Sequence, residues 1–222
     1  KGENIAIVGS SGVGKTTISN LIPRFYEVSE GAILIDGTDI RDFKQKSLRD
    51  NIGIVQQEVY LFSGSIYENI VYGKKDASFE DVKKAAEMAG AYDFIMELPD
   101  KFDTYIGERG TKLSGGQKQR AWIAMALAQG TKFLFLDEPT TYLDIRYQLE
   151  VLQLIERLNK DLGMTIVMVL HDINQAMYYS DRIIGLKDGN ILVQGDPDKV
   201  ISSYSVEQMF GVKLDIIEVD NK

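Results

Sequence analysis

Gly9-Ser10-Ser11-Gly12-Val13-Gly14-Lys15-Thr16 is the stretch that decides the fold of this 222-residue chain. It follows an apolar run at residues 4–8, typical of a buried strand, and precedes a predicted helix that ends near Ile22. Glycines at this spacing let backbone N–H groups turn inward around phosphates, and the helix start adds the positive end of its dipole. A structural turn would need neither the lysine nor the following hydroxyl. The stretch therefore predicts a phosphate-binding loop in an α/β fold.

The sequence of this loop also predicts which groups contact a nucleoside triphosphate. Lys15 is expected to reach the β- and γ-phosphate oxygens, and the Thr16 hydroxyl is expected to ligate Mg²⁺. The candidate nucleotide-binding residues are Gly9, Ser10, Ser11, Gly12, Val13, Gly14, Lys15, Thr16 and Thr17.

A second stretch, Phe133-Leu134-Phe135-Leu136-Asp137-Glu138, is a continuous apolar strand that ends in two carboxylates. In a parallel sheet such an end lies at the edge where ligands bind. We expect Asp137 to hold Mg²⁺ and Glu138 to polarise the water that attacks the γ-phosphate. A solvated strand end or helix cap is the alternative, which the phosphate loop makes weaker.

A third stretch, Leu113-Ser114-Gly115-Gly116-Gln117, precedes a helical pattern at residues 117–129. Ser114, Gly115 and Gly116 would present backbone N–H groups at the helix N-terminus, which makes an anion site without a lysine. With the phosphate loop before it and the acidic pair after it, this motif resembles only the ATP-binding cassette (ABC) family. The resemblance runs through essentially the whole chain.

The resemblance implies a single P-loop domain over residues 1–222 with a mainly parallel central sheet, flanking helices and a helical subdomain. The expected core lobe covers about residues 1–56 and 130–222, and the helical lobe covers about residues 57–129. The implied activity is Mg²⁺-dependent hydrolysis of ATP, which energises transport across a membrane. Its implied catalytic residues are Lys15, Gln57, Glu138 and His171.

The sequence pattern predicts further elements of the two lobes. In the core lobe, runs at residues 182–186 and 190–194 flank the turn signal Asp188-Gly189, which predicts a hairpin. In the helical lobe, helices are predicted at residues 79–89, capped by Ser78, and at residues 91–97.

Gln57 lies in Val55-Gln56-Gln57-Glu58-Val59-Tyr60-Leu61-Phe62, which is similar to the family's Q-loop. There one glutamine senses Mg²⁺ and the lytic water, so Gln57 is also a candidate metal ligand with Thr16 and Asp137. The neighbouring Gln56 is an alternative, and Gln57 is favoured because an acidic residue follows it. His171, the only histidine, follows an apolar strand at residues 165–170 and resembles the family's switch histidine. A surface glutamine and a structural histidine are the alternatives when each residue is taken alone.

In ABC proteins the third stretch caps the γ-phosphate bound by the other subunit, so two cassettes pack head-to-tail around two ATP molecules. Ser114, Gly115, Gly116 and Gln117 are therefore candidate nucleotide contacts in a dimer. Asp144, in Thr141-Tyr142-Leu143-Asp144, resembles the D-loop that crosses this interface, although it also fits the N-cap of a helix at residues 145–162. Transmembrane partners are expected at the Gln57 loop and at Thr104-Tyr105-Ile106-Gly107-Glu108-Arg109-Gly110.

The two halves of the chain resemble different branches of the family. Leu61-Phe62-Ser63-Gly64-Ser65-Ile66-Tyr67-Glu68-Asn69-Ile70 looks like an exporter cassette, whereas Val169-Leu170-His171-Asp172-Ile173-Asn174-Gln175-Ala176 looks like an iron-siderophore importer ATPase. This contrast suggests a chimera with a junction near residues 117–121. An unusual natural branch is the alternative.

The chain opens a few residues before the strand that leads into the phosphate loop, so the family's N-terminal antiparallel strands are expected to be truncated. Those strands carry the aromatic residue that stacks on adenine. We therefore expect weak, base-tolerant nucleotide binding, because one lost base–aromatic stack costs about 1–3 kcal/mol. The alternative function is a truncated or engineered nucleotide-binding module with little or no ATPase or transport activity.

Composition limits the partners. A formal net charge of −8 argues against nucleic acid, which is normally bound by a basic face. No apolar run approaches the roughly 20 residues of a membrane span, so direct insertion is not expected. The absence of cysteine and of a leader segment fits a cytoplasmic location, peripheral on the cytoplasmic face of the membrane when assembled.

Overall fold

The computed structural model of the protein describes residues 1–57 and 60–217. Its sheet strands alternate with helices along the chain, as the sequence predicts for an α/β fold. The strands are β1 (Asn4–Gly9), β2 (Leu34–Ile35), β3 (Thr38–Asp39), β4 (Ile52–Val55), β5 (Phe133–Asp137), β6 (Thr165–Val169), β7 (Arg182–Lys187) and β8 (Asn190–Gly195).

The helices pack around this sheet. They are α1 (Lys15–Leu21), α2 (Gln45–Arg49), α3 (Ile66–Val71), α4 (Phe79–Met88), α5 (Tyr92–Glu97), α6 (Gly115–Ala128), α7 (Ile145–Leu162), α8 (Ile173–Tyr179), α9 (Pro197–Val200) and α10 (Ser203–Phe210). Short 3₁₀ turns cover Ile40–Asp42, Lys101–Asp103 and Glu108–Gly110. None of the described helices is long and apolar enough to cross a membrane.

The main sheet has six strands in the order β4-β5-β6-β1-β7-β8, and β2 pairs with β3 in a separate two-stranded sheet. All neighbours in the main sheet are parallel except β7 and β8, which form the hairpin that the sequence predicts. Val169 at the end of β6 pairs with Ile7 of β1 and with Asp137 of β5. The carboxyl ends of β1, β5 and β6 therefore meet at one edge, where the phosphate loop also begins.

Strand β5 is apolar at every position before Asp137 because both of its faces are covered. Leu134 and Leu136 join a large core cluster that includes residues of α6 and α7. Phe135, 1% exposed, packs on the opposite face with Ile7 and Val167. This double burial is typical of a central parallel strand and explains the continuous apolar run.

Helix α6 begins earlier than the sequence pattern indicates. The hydrophobic period predicts a start at Gln117, but the structure starts the helix at Gly115 with Ser114 as N-cap. The reason is a capping box: Ser114 Oγ accepts from the Gln117 N–H, and Gln117 Oε1 accepts from the Ser114 N–H. The two glycines therefore lie in the first helical turn.

The other predicted helices are confirmed to within about two residues, the usual margin at helix ends. Ser78 caps α4 through a capping box with Asp81, as its place before a helical pattern indicates. Strand β4, which forms one edge of the sheet, lies in a stretch for which the sequence pattern predicts no strand. The division into a core lobe and a helical lobe near residues 57–129 stays a prediction, and in that span the described regular elements are α3–α6 and two 3₁₀ turns.

Candidate functional site

The phosphate loop connects the end of β1 to the start of α1. Gly9, at φ 150°, lies so close to β7 that an added Cβ would stand 2.6 Å from the Leu186 carbonyl oxygen. Gly14 is the N-cap of α1 and has a left-handed backbone, with φ 105°. A side chain would strain both positions, so the glycine spacing follows from the tight path of this loop.

Lys15 extends its ammonium group back into the loop. Its Nζ donates to the carbonyl oxygens of Gly9 at 2.8 Å and Ser10 at 2.9 Å, and the residue is only 5% exposed. Burial lowers the pKa of Lys15, while the charges of Glu138 and Asp137 act in the opposite direction. The cation is thus held at the loop, where it is placed to bind a phosphate.

Asp137 ends β5 beside α1 and is 4% exposed. Its Oδ2 accepts from Ser19 Oγ at 3.2 Å, whereas its Oδ1 is buried without a hydrogen-bond partner. Burial raises the pKa of Asp137, and the nearby hydroxyls of Thr16 and Ser19 oppose that rise. A buried carboxylate oxygen without a partner destabilises the fold unless a cation or a hydrogen-bond donor binds to it.

The residues at this position fit Mg²⁺. The unpaired Oδ1 of Asp137 and the Thr16 hydroxyl beside it are hard oxygen donors of the kind Mg²⁺ prefers. Within the described residues, no group of three or more His, Cys, Asp or Glu side chains could hold a metal ion. Protein-bound Mg²⁺ commonly takes one or two carboxylates together with substrate phosphates, which matches this sparse donor set.

Glu138 is the point at which distant parts of the chain meet. Its Oε2 accepts from Gln57 Nε2 at 2.6 Å and from Thr141 Oγ1 at 3.2 Å, and its Oε1 contacts His171 Nε2. The backbone of Glu138 is left-handed, with φ 52°, which is uncommon for a residue with a Cβ. Strained residues of this kind occur often at functional sites.

These groups line one cleft of about 320 Å³ at the carboxyl edge of the sheet. Every residue that lines this cleft is a candidate site residue predicted from the sequence. The lining consists of Ser11, Gly12, Gly14, Lys15, Thr16, Thr17, Gln57, Glu138 and His171.

Apart from Gly9, Ser10 and Val13 of the same loop and Asp137 beside α1, the remaining candidates lie elsewhere. This cleft is not lined by Ser114, Gly116, Gln117 or Asp144. Gly115 lines a separate cleft of about 420 Å³, and Gln57 lines that cleft as well. Asp144 is the N-cap of α7, because its Oδ1 accepts from the Tyr147 N–H at 3.2 Å. One chain therefore holds two separate groups of candidate residues.

A strand-to-helix phosphate loop, a strand ending in Asp137-Glu138 and a capped helix starting at Ser114-Gly115 lie on one sheet scaffold. The family model described as ABC transporter matches residues 1–141. The chain belongs to the ABC transporter family. Membership makes it an ATP-binding domain of a family of ATPases, on a fold with a mainly parallel central sheet.

The curated relatives are bacterial proteins whose names describe putative multidrug export. The chain is 44% identical over 205 residues to the "Putative multidrug export ATP-binding/permease protein YgaD" of Bacillus subtilis, covering 92% of the chain and 35% of that protein. It is 44% identical over 214 residues to the "Putative multidrug export ATP-binding/permease protein SAV1866" of Staphylococcus aureus, covering 96% of the chain and 36% of that protein. The chain thus spans about a third of the length of these relatives.

A solved structure matches as well. It is described as "Structure of a bacterial Atm1-family ABC exporter with ATP bound", with 43% sequence identity and a TM-score of 0.81. The match covers 88% of this chain and 34% of that chain.

The chimera hypothesis receives no support from these relatives. The alignments to exporter proteins cover 92–96% of the chain, so they continue across the junction expected near residues 117–121. The homologues of this chain are therefore of exporter type, and nothing in these alignments supports a second origin for the importer-like stretch at residues 169–176.

Ser19 and Thr141 are the side chains that sequence reasoning missed. Ser19 bonds Asp137, and Thr141 bonds Glu138. A signal existed for each, because Ser19 lies one helical turn after Lys15 and Thr141 lies three residues after Glu138. Serine and threonine at such spacings are too common to select without the fold.

Replacing Asp137 with asparagine is expected to stabilise the nucleotide-free chain. The raised pKa shows that the fold disfavours the carboxylate, and this penalty is full above the raised pKa and disappears as the pH falls towards 3.8. At neutral pH we expect the melting temperature of Asp137→Asn to rise by about 2–4 °C, the shift that 1 kcal/mol produces in a chain of this size. Calorimetry without nucleotide measures it, and an unchanged or lower melting temperature at pH 7 would contradict the expectation.

Proposed function

We propose that this chain is the ATP-hydrolysing domain of a membrane exporter, in which closure of a nucleotide-bound dimer drives transport. One observation carries the proposal. Glu138, Gln57 and His171 converge by hydrogen bonds and contacts at the cleft that Lys15 and the phosphate loop also line. Three polar groups from three segments that meet beside a phosphate-binding loop are arranged to surround a reacting phosphate.

The reaction is hydrolysis of the β–γ phosphoanhydride. Lys15 binds the phosphate oxygens, and Glu138 takes a proton from the water whose oxygen attacks the γ-phosphorus. Gln57 orients that water, and His171 donates a hydrogen bond to the γ-phosphate. The bond from the γ-phosphorus to the bridging oxygen breaks, which releases ADP and phosphate. Thr16, Asp137 and Gln57 would hold Mg²⁺, whose charge stabilises the phosphate oxygens when it is bound.

A second copy completes the site. Ser114, Gly115, Gly116 and Gln117 lie at the start of α6 and outside the cleft of the loop in their own chain. A helix start with free N–H groups suits an anion, so we infer that it covers the γ-phosphate held by the other chain. Asp144, exposed at the N-cap of α7, would lie at the same interface. The functional unit is then a head-to-tail dimer with two ATP molecules.

The transmembrane partner would contact the exposed surface around the Gln57 loop. Tyr60 is 44% exposed and Tyr105 is 54% exposed, and Arg109 lies over the Tyr60 ring at 5.7 Å. Exposed aromatic and arginine side chains are enriched at protein interfaces. The relatives named above carry the words "export" and "permease", which favours export as the direction and a membrane-facing location for this surface.

Mixing two inactive variants tests this function. Lys15→Met removes the phosphate-binding cation and keeps the Gly115 helix start, whereas Gly115→Asp places a negative charge on that helix start and keeps the loop. The aspartate is tolerated at the first turn by the helix dipole, and its Cβ would meet only the flexible Leu143 side chain, at 3.3 Å. We expect each variant alone to be inactive in ATP turnover. An equal mixture should recover about a quarter of the wild-type rate, because half of the dimers are mixed and each mixed dimer holds one complete site.

The outcome separates the alternatives. Recovery on mixing requires a composite site shared between chains, and the rate per chain of the wild type should rise with protein concentration. Two variants that remain inactive when mixed would contradict the head-to-tail dimer. A wild-type chain that binds ATP but shows no turnover at any concentration would favour a nucleotide-binding module instead.

A further inference from the structure

A closed ring of hydrogen bonds holds the loop between Glu138 and Asp144. Thr140 Oγ1 donates to Gln175 Oε1 at 3.2 Å, and Gln175 Nε2 donates to Gln148 Oε1 at 2.9 Å. Gln148 Nε2 donates to the Leu143 carbonyl oxygen at 2.9 Å, and the Leu143 N–H closes the ring on the Thr140 carbonyl oxygen at 3.4 Å. These bonds connect the first turns of α7 and α8 with the loop that leaves β5.

The direction of the ring is fixed by chemistry. The Leu143 carbonyl oxygen can only accept, so Gln148 must present its NH₂ group there and its amide oxygen to Gln175. Gln175 must then donate to Gln148, which leaves its own oxygen for the Thr140 hydroxyl. If the side-chain amide of either glutamine were rotated by 180°, its oxygen would face another acceptor or its NH₂ group would face another donor. Both glutamines are half-buried and Thr140 is 8% exposed, so water replaces these bonds poorly.

The ring stands between the two groups of candidate residues. Glu138 precedes Thr140 by two residues, and Asp144 follows Leu143 directly. Gln175 lies in the first turn of α8, which Asp172 caps one residue after His171. Two amide side chains therefore connect the His171 segment to the loop that leads to Asp144. Tyr142, between the ends of this loop, has a left-handed backbone with φ 63°. The ring thus holds a strained segment in one conformation.

We propose that Gln148 and Gln175 are positioning residues for ATP hydrolysis, which hold the loop at residues 139–143 so that Glu138 and the dimer-facing Asp144 keep a fixed relative position. The inference rests on the proposed function. Neither glutamine lines the cleft, so neither touches the nucleotide. Their effect should fall on the turnover rate and leave nucleotide affinity unchanged.

Isosteric variants of the full chain test the proposal. Gln148→Glu keeps the shape of the side chain but places a carboxylate against the Leu143 carbonyl oxygen. Thr140→Val removes the donor at equal size, whereas Thr140→Ser keeps it and should restore the wild-type result. Gln153→Glu is the matched control. Gln153 is an exposed residue of α7, as Gln148 is a residue of α7, and the substitution makes the same change of charge.

Two measurements are made on each variant. The first is amide hydrogen exchange of Leu143 without nucleotide, and the second is steady-state ATP hydrolysis. In Gln148→Glu and Thr140→Val we expect faster exchange at Leu143 and a kcat that falls about tenfold, with KM for ATP within about twofold of wild type. Thr140→Ser and Gln153→Glu should match the wild type in both.

Unchanged exchange in Gln148→Glu would overturn the ring, and faster exchange with unchanged kcat would overturn its role in positioning. A rise of KM equal to the fall of kcat/KM would also contradict it, because the ring would then act on nucleotide binding. A wild-type chain that hydrolyses no ATP overturns the proposed function and the role of the ring in hydrolysis. The hydrogen-exchange data remain informative for such an inactive chain, because they measure whether the ring protects the Leu143 N–H and need no ATP turnover.

Discussion

Glu138→Gln is expected to reduce ATP turnover by about 10²–10⁴-fold, the usual contribution of a general base. The amide has the size of the carboxylate and can still accept from Gln57 and Thr141, which both bond Oε2. It cannot take a proton from the attacking water. Binding of Mg·ATP should be retained, because Lys15 and the phosphate loop are unchanged. The variant should therefore accumulate an ATP-bound dimer, which size-exclusion chromatography with and without Mg·ATP detects alongside the turnover assay.

Glu207→Gln is the control, since Glu207 is exposed on α10, far along the chain from the cleft residues, and the substitution makes the same change of charge. It should leave both the rate and the oligomeric state unchanged. A Glu138→Gln variant that retains more than a tenth of the wild-type turnover would mean that another group accepts the proton. Loss of Mg·ATP binding in the same variant would instead assign Glu138 to the binding of the nucleotide.

Lys15→Met is expected to weaken ATP binding by about 10–150-fold and to abolish measurable turnover. Hydrogen bonds to charged groups are worth about 1.5–3 kcal/mol, and Lys15 is the only lysine or arginine among the described residues that line the cleft. Methionine keeps most of the length of the side chain. Titration with a fluorescent ATP analogue in the presence of Mg²⁺ gives the affinity, and phosphate release gives the rate.

The fold of this variant needs its own check. Burial lowers the pKa of Lys15, so the fold disfavours the ammonium, and this penalty is full below the lowered pKa and disappears as the pH rises towards 10.5. Its removal offsets the lost bonds to the Gly9 and Ser10 carbonyl oxygens, so the melting temperature should stay within about 4 °C of wild type. Weak binding with an unchanged melting temperature assigns the loss to the phosphate site. A large drop in melting temperature would show that Lys15 mainly supports the loop.

Local patterns predicted several helices where a capping spacing marks the start. Ser78 with Asp81 and Ser114 with Gln117 carry capping spacings, and the predicted helices begin beside them. The hydrophobic period predicts the start of α6 two residues late because glycine hides that period, whereas the capping box that sets the start depends on side-chain hydrogen bonds. Strand β4 was missed because a four-residue strand at a sheet edge has too short a pattern to distinguish.

Residue types and spacings by themselves determined the phosphate loop and the acidic pair, because each depends on neighbours within a few positions. The meeting of Gln57, Glu138 and His171 was decided only by the tertiary structure, since parallel strands from distant parts of the chain bring their carboxyl ends to one edge. The ring through Gln148 and Gln175 was likewise invisible in the sequence. A glutamine on a helix has no preferred partner until packing places another amide within hydrogen-bond distance.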